Sequence, residues 1–183
     1  LSNNNLFHHW LNKETSAYCG PKFISETKLE KFLGNVDKKG KYYRWQVIYT
    51  NSELTSIISK KTHQKFKLIK NLIPQKRGLS GRIILLEIQG VLDDDTNHSL
   101  FIESEYEIRR TLHQEFLYSS ACTVESNSDY DEKEISFTLK GAGWGHGVGL
   151  CQIGALGMAL DGKKMHEILS HYYKSSEMRN IYE

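Results

Sequence analysis

Two rhythms of apolar and polar residues alternate along this chain. A 3.6-residue rhythm begins near residue 26, where Leu29, Phe32 and Leu33 share a face, Ser25 can cap the start and Gly34 stops the turn. Residues 42–49 are rich in aromatic and β-branched side chains and predict a strand. Thr50 and Glu53 then stand at capping-box spacing, and Leu54, Ile57 and Ile58 give the helix that follows its buried face. Residues 66–73 are apolar without a decisive period, and Pro74 is expected to close them. Residues 77–81 predict a turn, residues 82–89 a strand, and residues 117–125 and 135–139 two further strands. Residues 93–97 and 126–131 are Asp/Ser/Asn-rich and predict surface loops. Residues 150–160 and 165–173 predict helices, the second with Met165, Ile168, Leu169 and Tyr172 at i, i+3, i+4 and i+7. Strands and helices without a steady βαβ alternation predict an α+β fold: a mixed or antiparallel sheet with flanking helices, and a glycine-rich loop leading into C-terminal helices.

Composition narrows the class. A length of 183 residues suits one domain, and the leading Leu1 suggests a fragment or a trimmed product. The 24 basic and 22 acidic residues leave a net charge of +2, too balanced for the basic stripe of a nucleic-acid binder. No run approaches the roughly 20 apolar residues of a membrane helix. Cys19, Cys122 and Cys151 are an odd, widely spaced set, not a disulfide framework. The expectation is three small hydrophobes, two of them buried, with one disulfide possible and its pairing open. His8, His9 and Cys19 have poor metal-ligand spacing, so neither metal nor cofactor is expected.

The chemistry concentrates near the C-terminus. Seven of the 14 glycines lie between Gly141 and Gly157. Glycine belongs where φ is positive or where another surface comes close. If the run from 141 to 149 is extended, Ala142, Trp144, His146 and Val148 share one face and the other is bare backbone, suited to a flat polymer. Its end would feed the helix N-terminus after Leu150. The run is not a nucleotide loop. No register satisfies G-x-G-x-x-G, and the near match from Gly157 to Lys164 ends in lysine where magnesium needs a hydroxyl. Trp144 could stack on a sugar ring or sit in the core. His146 could bond a polar ligand in a groove or serve as a structural histidine bonding loop carbonyls, with the flanking glycines favouring the groove, and Gln152 could bind sugar hydroxyls or cap the helix. A Cys151/His146 nucleophile pair ranks far behind.

Residues 141–173 resemble the C-terminal signature of the stage II sporulation protein D family, also found in amidase-enhancer proteins. That signature reads G-x-G-W-G-H-G-V-G-[ML]-x-Q-x-G-A, then a helix, a glycine and I-L-x-H-Y-Y. Here it is carried by Gly145-His146-Gly147-Val148-Gly149-Leu150, Gln152, Gly154-Ala155, Gly162 and Ile168-Leu169-Ser170-His171-Tyr172-Tyr173. Upstream, Arg77-Gly78-Leu79-Ser80-Gly81-Arg82 resembles the family's R-G-x-S-G-R turn. Residues 108–112 and 117–120 resemble segments that line its groove.

The resemblance implies an extracytoplasmic protein that binds and cuts peptidoglycan glycan strands as a lytic transglycosylase, leaving 1,6-anhydro ends, with other cell-wall hydrolases as further partners. That chemistry needs one carboxylic acid. The family carries it in a P-x-E-x-L-K-A-Q-A-V-A-A-R-T-Y helix that this chain lacks, as it lacks the cysteine and histidine segment reported to bind zinc. No catalytic residue is therefore identified within the chain, and the glutamate is expected upstream. The alternative is a non-catalytic glycan-binding or amidase-enhancing module. Substrate-binding candidates are Trp144, His146, Gln152, Tyr118, Ser119 and Ser120, with Arg109 and Arg110 offering guanidinium forks to a lactyl carboxylate. The competing expectation is that at least one of these arginines pairs with Glu107. Glu103, Glu105 and Glu107, read as alternating along a strand on one solvated side, are poor substitutes for the missing acid.

Overall fold

A computed structural model describes residues 1–13, 15–33, 43–127 and 135–179. The chain divides into two units, one formed by Leu1–Lys13 and Arg44–His146, the other by Glu14–Tyr43 and Gly147–Glu183. The fold is α+β, as the mixed pattern predicts.

The first unit holds α1 (Asn4–Asn12), β1 (Arg44–Thr50), α3 (Asn51–Thr62), β2 (Phe66–Arg77), β3 (Ile83–Leu92), β4 (Asn97–Glu103), α4 (Glu105–Thr111), β5 (Cys122–Asn127) and β6 (Ser136–Ala142). The second holds α2 (Glu26–Leu33), α5 (Gln152–Leu160) and α6 (Met165–Tyr172). The strands form two antiparallel three-stranded sheets, ordered β1-β6-β5 and β2-β3-β4. Their inner faces share one core with α3 and α4, centred on Leu54, Ile58, Ile69, Leu86, Ile88, Ile108, Phe137 and Leu139, all fully buried. A smaller cluster of Phe7, Leu11, Ala121 and Ala142 lies under α1.

Local signals are realised where they are self-contained. Thr50 caps α3, its hydroxyl accepting from the Glu53 N–H while the Glu53 carboxylate accepts from the Thr50 N–H. Residues 93–97 join β3 to β4 as a hairpin connection, closed by Leu92 N–H to Thr96 O at 2.9 Å. Ser25 accepts from the Lys28 N–H at the start of α2, although Phe32 is exposed; Gly34 lies outside the described residues. So do Tyr42 and most of the loop after Asn127.

Pro74 does not end a strand. β2 continues to Arg77 because it is an edge strand paired only with β3, where a missing N–H costs no ladder bond. The residue instead contributes its carbonyl, which accepts from Asn4 Nδ2 at 3.0 Å. Only residues 122–127 of the strand expected from 117 onward pair with β6. The preceding residues bond elsewhere: Leu117 N–H to Arg109 O, and Ser120 O to the Ile83 N–H. Glu103 ends β4, whereas Glu105 and Glu107 lie in the first turn of α4, so strand alternation does not relate the three.

A buried side chain substitutes for a strand at the edge of β2. Asn51 is 3% exposed; its Nδ2 donates to Ile69 O at 2.6 Å and its Oδ1 accepts from the Ile69 N–H and from Thr55 Oγ1. Thr55 Oγ1 also accepts from the Ile69 N–H at 3.3 Å, so loss of Asn51 strands the Ile69 carbonyl and the Thr55 hydroxyl, at a cost of roughly 1–3 kcal/mol. Asn51→Ala is therefore expected to lower the unfolding free energy by that amount in urea titrations, with Ser52→Ala as an exposed comparison.

Glu87 sits across the second sheet. Its carboxylate accepts from Gln89 at 2.7 Å, Ser99 at 3.0 Å and Gln75 at 2.6 Å, joining β2, β3 and β4. These bonds, that from Gln89 foremost, hold its carboxyl below the usual glutamate value against the opposing effect of burial. A carboxyl whose folded pKa is depressed stabilises the fold above its unfolded pKa and loses that contribution as pH falls through the folded value. Thermal melts between pH 7 and pH 3 should show a shallower acid-side loss for Glu87→Gln than for the wild type. Parallel curves would assign the acid sensitivity elsewhere.

Candidate functional site

In the first unit the glycine run is a strand end held peptide by peptide. β6 finishes at Ala142, whose N–H donates to Ala121 O at 2.9 Å and whose carbonyl accepts from Ser119 Oγ at 2.9 Å. One residue on, Gly143 O accepts from Trp45 Nε1 at 3.0 Å. Gly145 donates its N–H to Tyr118 O at 2.8 Å and accepts from Arg82 Nε at 3.2 Å. The Trp45 and Tyr118 rings pack at 5.5 Å between centroids. Trp144 is 52% exposed and His146 is exposed, so this fixed backbone carries two ring side chains to solvent.

The run is not extended. Gly143, Gly145, Gly147 and Gly149 have φ of 70°, 88°, 73° and 86°, whereas the residues between them do not have positive φ. Every second residue therefore reverses the turn of the chain, and the one-face alternation of a strand ends with Ala142. The first glycines are required for different reasons. A Cβ at Gly141 would overlap the Trp45 ring. A Cβ at Gly143 would meet open space, and the constraint there is φ alone.

The Arg77–Arg82 turn forms one support. Gly78 N–H donates to Arg82 O at 2.9 Å, Gly81 N–H to Gly78 O at 3.0 Å, and Leu79 at the tip is 91% exposed. Gly81 has φ of 81°, and a Cβ there would press on the Phe7 ring. Arg82 leaves this turn to reach Gly145.

Several sequence-derived candidates belong to the supporting frame. Ser119 and Ser120 are fully buried and offer no hydroxyl to solvent. Arg109 is 6% exposed; its Nε donates to Leu117 O at 2.9 Å, its Nη1 reaches Glu105 at 3.4 Å, and its guanidinium lies 4.3 Å over the Phe116 ring. Its own carbonyl accepts from the Leu117 N–H, so Arg109 holds that residue from both sides and presents no fork to a ligand. Arg110 pairs with Glu107 at 2.7 Å and donates to Lys61 O at 3.2 Å, the bland expectation for one of the two arginines. Tyr118 is half-buried and supports Gly145 through its carbonyl. Sequence reasoning missed Trp45 and Arg82 as supports; an indole or guanidinium facing a loop carbonyl leaves no local periodicity.

The second unit carries the rest of the motif. Gln152, the first residue of α5, is exposed, but the cap is Cys151, whose Sγ accepts from the Gly154 N–H at 3.3 Å. Cys151 is exposed and Cys19 half-buried, so among the three cysteines only Cys122 is buried, against the expected two. The Tyr172 hydroxyl lies against Gly154, and a Cβ at Gly157 would meet the Tyr18 carbonyl. Met165, expected on the apolar stripe of α6, is 69% exposed, whereas Ile168, Leu169 and Tyr172 are half-buried. Among the described residues no group of three or more His, Cys, Asp or Glu side chains could hold a metal ion, and no helix is long and apolar enough to cross a membrane.

Residues 8–149, from α1 through Trp144 and His146 to Gly149, match the domain of unknown function DUF8618. The chain belongs to the DUF8618 family. The matched region takes in Trp45, Arg82, Tyr118 and the glycines they hold, and it ends before Cys151 and Gln152. No curated protein matches the sequence.

The two kinds of glycine can be separated by experiment. Gly141→Ala should cost about 1–3 kcal/mol through overpacking, and a Trp45→Leu background should recover part of that loss. Gly143→Ala should cost about 1–2 kcal/mol from the left-handed backbone, Gly143→Asn less, and neither should be relieved by Trp45→Leu. Denaturation of the single and double variants measures both.

Proposed function

We propose that this chain recognises peptidoglycan glycan strands outside the cytoplasm, as a module of the stage II sporulation protein D type. Trp144 carries this reading. A large ring half open to solvent stands on a backbone fixed on either side by Trp45, Tyr118 and Arg82. A preorganised loop pays little ordering entropy on binding, and a flat aromatic face suits the C–H face of a sugar ring. His146, also exposed, adds a donor or acceptor for sugar hydroxyls. Gln152 extends the same sequence signature.

Lytic cleavage to 1,6-anhydro ends is the activity the resemblance implies for a protein that supplies the general acid. Two observations favour the non-catalytic, amidase-enhancing reading for these residues by themselves. Glu105 and Glu107 are ion-paired with Arg109 and Arg110, and the bonds to Glu87 favour its ionised form, the opposite of what a proton donor at neutral pH needs.

Co-sedimentation with glycan strands stripped of stem peptides tests the reading. The chain should pellet with the strands, and Trp144→Ala should weaken binding about tenfold or more, the scale of one lost stacking contact. Ile48→Ser, which removes an exposed apolar residue from β1, should bind as the wild type does. Failure to bind, or full binding by Trp144→Ala, rejects the proposal; release of 1,6-anhydro products by this chain alone rejects the non-catalytic reading.

A further inference from the structure

The outer face of the second sheet carries side chains that take no part in the core. On β3, Leu86 and Ile88 are fully buried, so the alternate positions Glu87 and Gln89 point the other way. Strand pairing brings their neighbours to the same face. Phe101 stands opposite Glu87, and Gln89 has Ser99 on one side and Asn71 on the other. Asn71, Ser99 and Phe101 are exposed, Phe101 with 54% of its surface in solvent. Gln75, also exposed, reaches this face through its bond to Glu87.

These polar groups are fastened to one another with bonding capacity left over. The Glu87 carboxylate accepts from Gln75, Gln89 and Ser99, and Gln89 Oε1 accepts from Asn71 Nδ2 at 3.1 Å. A primary amide has two N–H donors and two acceptor lone pairs. After these bonds, Gln75 and Asn71 each keep one N–H and an unused carbonyl oxygen, and Gln89 keeps one N–H and one lone pair. Three flexible side chains are thus fixed before any ligand arrives, which lowers the ordering cost of binding. With strands about 4.8 Å apart, Asn71, Gln89 and Ser99 form a flat polar strip beside one open aromatic ring.

Charge on this face favours neither sign. Glu87 and Glu103 are matched by Lys76, which like Glu103 stands opposite Leu85, and by Lys70, which donates to Asn97 at 3.4 Å. Lys67 pairs with Asp95 at 2.6 Å. A polyanion would need a concentration of cations, and meets a carboxylate at the centre instead. A protein partner would need an apolar centre to the patch, and that centre is polar. A neutral sugar fits both features: its hydroxyls donate and accept as amides do, and its C–H face suits an aromatic ring.

We propose that the outer face of β2, β3 and β4 binds a neutral oligosaccharide. Phe101 stacks on one sugar ring, while Asn71, Gln75 and Gln89 bond the hydroxyl or acetamido groups of the chain. This site lies on a different sheet from the one that ends in the Trp144 loop, and it does not rest on the reading given for that loop.

Titration of the isotopically labelled chain with chitotetraose, followed by NMR of backbone and side-chain amides, tests the proposal. Shifts should appear at the side-chain amides of Asn71, Gln75 and Gln89 and along β4 around Phe101, and they should persist in a Trp144→Ala chain. Phe101→Ala should raise the Kd about tenfold, the scale of one lost apolar ring contact. Gln75→Ala, at another exposed position, should raise it as well. Absence of shifts on this face, shifts confined to the surroundings of Trp144, or an unchanged Kd for Phe101→Ala would each overturn it. So would shifts on this face that grow with protein concentration in the absence of sugar, which would make a second copy of the chain the occupant.

Discussion

The first unit depends on one buried cation. Arg77 is 5% exposed, and every direction of its guanidinium is used: Nε to Asn4 Oδ1 at 2.7 Å, Nη1 to Gly81 O at 2.8 Å, Nη2 to Cys122 O at 2.9 Å, and its face over the Phe7 ring at 4.2 Å. Burial lowers its pKa, yet an arginine remains charged in a protein. Removing such a charge from water costs several kcal/mol unless its hydrogen bonds are replaced, and here carbonyls, an amide and a ring replace them, with no carboxylate partner among the described residues. One side chain thus joins α1, the Arg77–Arg82 turn and β5, each of which bears on the glycine run. The turn sends out Arg82, β5 is preceded by Ser119 and Ala121, and α1 covers Ala142.

That convergence explains why a glycine-rich segment can be well defined. Glycines lose more backbone entropy on ordering than any other residue. The peptides from Ala142 to Gly145 offset this with bonds to Ala121, Ser119, Trp45, Tyr118 and Arg82, all distant in sequence. What reaches solvent is then the part these bonds do not use: the rings of Trp144 and His146. Arg109 acts one step further back by holding Leu117, the residue before Tyr118.

The legible parts of this structure are those decided within a few residues. The capping box at Thr50 and the helices from Gln152 and Met165 were readable because cap, stripe and stop are contiguous. α1 was not anticipated: Asn3 accepts from the Leu6 N–H and Phe7 and Leu11 are buried one turn apart, but polar neighbours mask that pattern. Pro74 misled because edge position is a property of the sheet. The roles of Asn51 and Arg109 were hidden because burial of a polar residue depends on partners that composition does not reveal. The glycine run stood out through its density; its backbone geometry differed from the extended run expected because alternate glycines take positive φ.

The antiparallel pairing of β1 with β6 has a consequence for the order of events during synthesis. Arg44 faces Ala142, and Trp45 finds the Gly143 carbonyl 98 residues later. β2, β3 and β4, by contrast, pair with sequence neighbours. As the chain leaves the ribosome, the β2–β4 meander can close early, while β1 waits with an unpaired edge until nearly the whole unit has emerged. The loop that carries Trp144 is then among the last parts to become ordered. Nascent-chain aggregation and chaperone demand should accordingly be governed by the long wait of β1, more than by any weakness of the finished core.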